Sequence, residues 1–136
     1  MSPVYLPDEA ATRALGAKLA SKLTAGDVVL VSGVLGAGKT TLVRGLLQAL
    51  GHTEPVRSPT FNLIQIFDTD PPVMHADLFR VKSHTGIGIE DYLGTHLCLI
   101  EWPDRAKGLV EPSHSWRVEL AFAEKGRTAV VEPPEL

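Results

Sequence analysis

The segment Gly33-Val34-Leu35-Gly36-Ala37-Gly38-Lys39-Thr40 constrains this chain more than any other stretch of it. It meets the pattern G-x-x-x-x-G-K-[ST] at every fixed position. Before it, Val28-Val29-Leu30-Val31 has no polar alternation and reads as a strand buried on both faces. After it, Thr41 to Leu50 reads as a helix with Leu42, Leu46, Leu47 and Leu50 on one side. Gly51 stands where a glycine commonly ends a helix. A glycine-rich turn from a buried strand into a helix is the context in which this pattern binds phosphate. Glycines let main-chain N–H groups converge where a Cβ would intrude. The helix N-terminus adds donors and partial positive charge. The backbone at Gly33, Leu35, Gly36, Ala37 and Gly38 is therefore expected to surround phosphate oxygens. Lys39 supplies a cation for the β- and γ-phosphates, Thr40 a hydroxyl small enough to ligate Mg²⁺, and Thr41 reaches the α-phosphate. A plain strand-to-helix turn that happens to carry a lysine is the alternative, and motif and context together disfavour it.

A nucleotidase of this type also needs an acid at the carboxyl end of a neighbouring strand. Glu101 follows Leu97-Cys98-Leu99-Ile100, and Asp77 follows Val73-Met74-His75-Ala76. Strand ends on one edge of a parallel sheet face a common crevice, so both acids belong near the phosphates. Glu101 is the preferred metal ligand with Thr40, because its strand is the more continuously apolar. Asp77 would then orient the attacking water or a metal-bound one. Ser58-Pro59-Thr60 lies where a γ-phosphate sensor is expected, with Thr60 as the candidate. Trp102 either covers the site or fills the core. A solvated carboxylate at a strand end, and an ordinary loop at residues 58–60, are the bland readings of these positions.

The remaining pattern is simple. Asp8 can cap a helix on which Ala11, Leu15, Leu19 and Leu23 make one apolar stripe. Phe61 to Phe67 reads as a strand. Residues 78–94 read as irregular, with short helical turns near Leu78 and Glu90. Arg117 to Phe122 and Arg127 to Val131 read as strands joined through Glu124-Lys125-Gly126. These elements predict an α/β chain: one compact P-loop NTPase-like domain over residues 1–136, with a central mixed sheet flanked by helices.

At 136 residues, 44% apolar and 21% charged, the chain has enough material for one core. Its net charge of −3 argues against a free-standing nucleic-acid binder. Cys98 stands alone and reads as a core hydrophobe. The five histidines show no metal-ligand spacing and read as surface or strand-end residues. With no apolar run long enough to span a bilayer and no basic-then-apolar leader, the expectation is a cytoplasmic protein without a membrane partner.

Several segments together resemble one family. They are Leu6-Pro7-Asp8-Glu9, Gly36-Ala37-Gly38-Lys39-Thr40-Thr41, Leu47-Gln48-Ala49-Leu50-Gly51-His52, Ser58-Pro59-Thr60-Phe61, His75-Ala76-Asp77-Leu78-Phe79-Arg80 and Ile100-Glu101-Trp102-Pro103. Their order, in a chain this short, is similar to the small bacterial P-loop ATPases of tRNA threonylcarbamoyladenosine modification, the TsaE family. The resemblance implies an ATPase using ATP and Mg²⁺. Its partners would be a threonylcarbamoyltransferase and that enzyme's inactive paralogue, with tRNA engaged only through them. It implies Mg²⁺ on Thr40 and Glu101, and phosphates on Lys39 and the loop. Asp77, Thr60 and Trp102 would serve hydrolysis or its coupling, and the segment near Asp8 with Gly126-Arg127 would border the adenine. Two departures stand out: Val34 replaces a usual Asp, and Phe61 and Phe79 replace frequent Tyr. Other readings are a small-molecule P-loop kinase, a nucleotide-gated binding module with negligible turnover, and a GTPase. The last lacks the [NT]-K-x-D guanine reader.

Overall fold

A computed structural model of the chain describes residues 3–34, 36–53, 63–83 and 85–135. Local chemistry sets the first elements. A short strand β1, Val4–Leu6, leads to Asp8, whose Oδ1 accepts from the Ala11 amide at 2.8 Å and starts helix α1, Glu9–Ala20. Asp8 thus acts as the cap expected of it. Leu23 lies beyond the end of α1 but is still buried. Strand β2, Val28–Ser32, feeds the glycine-rich turn and helix α2, Lys39–Ala49. The helix begins two residues earlier than Thr41, so Lys39 and Thr40 sit in its first turn. Strands β3 (Ile64–Phe67), β4 (Val73–Asp77), β5 (Leu97–Glu101), β6 (Trp116–Phe122) and β7 (Arg127–Glu132) complete the chain. Of the strand expected from Phe61, residues 61 and 62 lie outside the described residues. Between β4 and β5 a turn closes from the Val81 amide to the Leu78 carbonyl, and a 3₁₀ turn spans Ile89–Asp91.

The seven strands form one mixed sheet in the order β1-β7-β6-β2-β5-β4-β3. β6, β2, β5 and β4 are mutually parallel, while β7, β1 and β3 join antiparallel at the two sides. This is the mixed P-loop NTPase-like sheet expected, with one addition. β1 has no signal in the sequence: three residues carry no periodicity, and it exists because β7 offers it a partner at Val4–Ala129 and Leu6–Arg127.

Alternation along the central strands divides the core in two. Val29 and Val31 of β2 and Leu97 and Leu99 of β5 meet Leu42, Leu46 and Leu47 of α2 and Leu19 of α1. Leu30, Cys98 and Ile100 point the other way, against Met74, Leu78, Ile89 and Ala106. Each fully buried Leu or Ile contributes roughly 1.5–3 kcal/mol of hydrophobic stabilisation, so β2 and β5 anchor both layers. Two helices cover one face; on the other, 3₁₀ turns and loops do the same work.

The two helices touch backbone to backbone. A Cβ on Gly16 would lie 2.2 Å from the Leu42 carbonyl oxygen, and one on Gly45 would lie 2.1 Å from that of Arg13. No side chain fits at either crossing point. The close approach also brings Thr12 of α1 beside the entrance of α2, where its Cγ2 is 3.6 Å from the place of a Cβ on Gly38.

Candidate nucleotide site

The loop after β2 turns into α2 through Gly38, whose φ of 106° suits glycine and few other residues. No side chain caps the helix there. A helix start without a cap presents N–H donors and the positive end of its dipole to whatever fills the space before it. That space is a cavity of about 230 Å³ lined by Gly36, Gly38, Lys39, Thr40, Thr41, Asp77, Glu101 and Trp102. The structure therefore brings together the loop, the first turn of the helix and both strand-end acids. Asp77 and Glu101 are register partners at the ends of β4 and β5. Leu35 and Thr60 lie outside the described residues.

Lys39 is 6% exposed. Its Nζ donates to the carbonyl oxygens of Gly33 and Val34, and lies 4.4 Å from the centre of the Trp102 ring. Burial pushes its pKa down, while the charges of Glu101 and Asp77 pull it back up. The Ala37 methyl belongs to the helical-side core, and its amide donates to the Val34 carbonyl at 3.1 Å. The Val34 side chain itself is exposed. Asp77 is partly buried, and desolvation raises its pKa. The Phe79 amide, donating to Oδ1 at 3.1 Å, is the main opposing influence, and the neighbouring Glu101 charge adds to the rise.

Trp102 has both roles that the sequence left open. Its indole packs on the loop-covered core and also lines the cavity before α2. Its φ of 62° makes it the one non-glycine residue with a left-handed backbone among the described residues. For so bulky a residue this costs about 1–3 kcal/mol. The turn is held by the Trp102 amide, which donates to the Val31 carbonyl at 3.3 Å, and by Phe79, whose ring centre is 4.8 Å away.

A second cavity of about 300 Å³ adjoins the first and shares Gly36, Gly38 and Thr41 with it. Its walls are Leu6 to Glu9, Thr12, Gly126 and Arg127. Arg127 reaches across the fold: Nη2 and Nε donate to the Gly36 carbonyl at 3.1 and 3.3 Å, and the guanidinium lies 4.3 Å from the centre of the Phe122 ring.

The model of the threonylcarbamoyl adenosine biosynthesis protein TsaE matches residues 6–129. The chain belongs to the TsaE family. It is 39% identical to the tRNA threonylcarbamoyladenosine biosynthesis protein TsaE of Nostoc sp., over 98% of this chain and 86% of that one. It is 39% identical to the protein of the same name from Haemophilus influenzae, over 78% of this chain and 73% of the other. The crystal structure of YdiB from Bacillus subtilis superposes with a TM-score of 0.78 at 25% identity, covering 96% of this chain and 82% of that one.

Sequence reading missed one element of this TsaE site. His75 is neither at the surface nor at a strand end. It lies within β4, fully buried, with Nε2 2.5 Å from Oε2 of Glu101. The contact runs diagonally between two strands, so no local spacing signals it. Cys98 is buried as expected, and desolvation pushes its thiol up to about 11. A wider groove of about 650 Å³ lies on the loop-covered face beside Leu109, Val110 and Arg117. Among the described residues, none between 33 and 40 lines it. Among the described residues no helix is long and apolar enough to cross a membrane.

Proposed function

We propose that this TsaE-family protein binds and hydrolyses magnesium-ATP in the cytoplasm. Through that cycle it acts on a threonylcarbamoyltransferase and its inactive paralogue during tRNA modification. One observation carries the reading: an uncapped helix start, a buried lysine and two strand-end carboxylates line one small cavity. The residues fit the proposed ligands. Main-chain donors and a cation suit phosphate. A hydroxyl and carboxylates are the hard oxygen donors that Mg²⁺ takes.

Thr40 and Glu101 would hold the magnesium, which when bound neutralises charge on the β- and γ-phosphates. Lys39 leaves the Gly33 and Val34 carbonyls for phosphate oxygens. Asp77, which lines the cavity, would hold the attacking water. Thr60 completes the γ-phosphate contacts by resemblance to the family. The adjoining cavity, with Arg127 at its wall, takes the nucleoside.

Phosphate release, measured with and without the purified transferase pair, tests the proposal. The expected outcome is slow release by the protein alone and faster release with the pair, which can supply the missing positive charge at the transition state. Label appearing on an added small acceptor instead of in water would support the kinase reading. No release under either condition would leave only a nucleotide-gated binding module.

A further inference from the structure

We infer that His75 is a positioning residue for Glu101: it holds one carboxylate oxygen so that the other faces the metal end of the phosphate cavity. The inference rests on the magnesium-ATP reading above. β4 and β5 are adjacent and parallel, with His75 opposite Leu99 and Asp77 opposite Glu101. His75 is thus two residues from Asp77 on the same side of the sheet, and it reaches Glu101 diagonally. The Nε2–Oε2 separation is 2.5 Å, with the imidazole fully enclosed and the carboxylate side chain 3% exposed.

A buried carboxylate needs a donor, and without one it would be strongly destabilising. In the Nε2–H tautomer His75 supplies that donor. Its Nδ1 then has no hydrogen-bond partner among the described residues. A core optimised for stability alone would place an apolar side chain here rather than a ring with an unmatched polar atom. The unmatched atom is explained if the ring is kept for its other nitrogen. With Oε2 engaged by His75, Oε1 is the oxygen that Glu101 has left for the cavity it lines. The imidazole also fixes the rotation of the carboxylate plane, so the metal meets one geometry instead of several. Outer-sphere partners of this kind typically change metal affinity or activity by about 10–100-fold when removed.

The test uses Mn²⁺ as a paramagnetic probe, titrated into the protein with saturating ADP and followed by electron paramagnetic resonance. His75→Met keeps side-chain bulk but removes the donor, and Mn²⁺ affinity should fall about tenfold or more. ADP binding in chelator should be unchanged. His75→Gln places an amide donor near the Nε2 position and should recover the wild-type Mn²⁺ affinity. If His75→Met does not fold, His75→Asn is compared with His75→Gln, because the shorter amide cannot reach Oε2. Equal Mn²⁺ affinity in wild type and donor-less variants overturns the inference and leaves His75 a core residue. Absence of Mn²⁺–ADP binding by the wild type overturns the magnesium-ATP reading itself, and this is seen before any substitution is made.

Discussion

The two ends of the candidate cleft are built by opposite means. At the inner end, each polar group is carried on a central element. Lys39 and Thr40 start α2, Asp77 and Glu101 end β4 and β5, and His75 lies inside the sheet. At the outer end, Asp8, Thr12, Gly126 and Arg127 come from the edge of the sheet and the start of α1. They meet because β1 pairs with β7 and because Gly16 and Gly45 let α1 and α2 approach backbone to backbone. The inner groups are largely withdrawn from water, which strengthens each electrostatic contact and raises the penalty for an unpaired one. Arg127, by contrast, bonds Gly36 at the surface and leans on an exposed Phe122. If the cleft takes a nucleotide as proposed, the inner end would discriminate by charge and geometry, and the outer end would add modest, adjustable affinity.

The difference can be broken first at its strongest point. Lys39→Ala removes a buried cation, and a charge-assisted contact of this kind contributes about 1.5–3 kcal/mol. Affinity for Mg-ATP in calorimetry should fall about 10–100-fold, and hydrolysis should fall with it. Near-normal binding would mean that the helix start alone holds the nucleotide.

Asp77→Asn sharpens the contrast by separating function from stability. The folded chain holds the Asp77 proton more tightly than the unfolded chain does, because burial raises this carboxyl above its ordinary 3.8. The sign follows: the stability linked to this group is complete below 3.8 and is lost as pH rises through the elevated value. At neutral pH the neutral amide should melt higher than wild type without nucleotide, and the gain should vanish toward acid pH. Hydrolysis should drop about tenfold or more if Asp77 orients the water. A lower melting temperature at pH 7 would show that the charge is compensated.

The smallest effect is expected at the outer end. Arg127→Ala should weaken nucleotide binding only about three- to tenfold, as for a partly exposed cation at an aromatic face. Its turnover at saturation should be unchanged. A loss as large as that of Lys39→Ala would remove the distinction between the two ends.

Legibility in the sequence follows the same division. The phosphate loop could be read because its chemistry is contained in eight consecutive residues between an unbroken apolar run and an apolar-periodic helix. Asp77 and Glu101 could be read because each closes a short apolar run. What could not be read depends on register and crossing. The His75–Glu101 contact spans 26 residues, and the Arg127–Gly36 contact spans 91. A three-residue β1 has no pattern of its own, and its existence is a property of β7. On the loop-covered face the sequence shows only irregular chain over residues 78–94 with short turns near Leu78 and Glu90; both turns are there, but which residues they bury is not readable from a pattern. Leu78, Ile89 and Ala106 are buried one at a time from short turns, not along a helical stripe.

The grip of Lys39 on the Gly33 and Val34 carbonyls, with the Trp102 face beneath it, has a consequence for the interval between ligands. An ammonium left alone beside two carboxylates would swing onto one of them and seal the entrance. Among the described residues it makes no ion pair with either acid. Its parking place on neutral oxygens keeps the doorway ajar. Under the proposed function, an incoming triphosphate would trade one set of oxygen partners for another, and a departing product would hand the cation back.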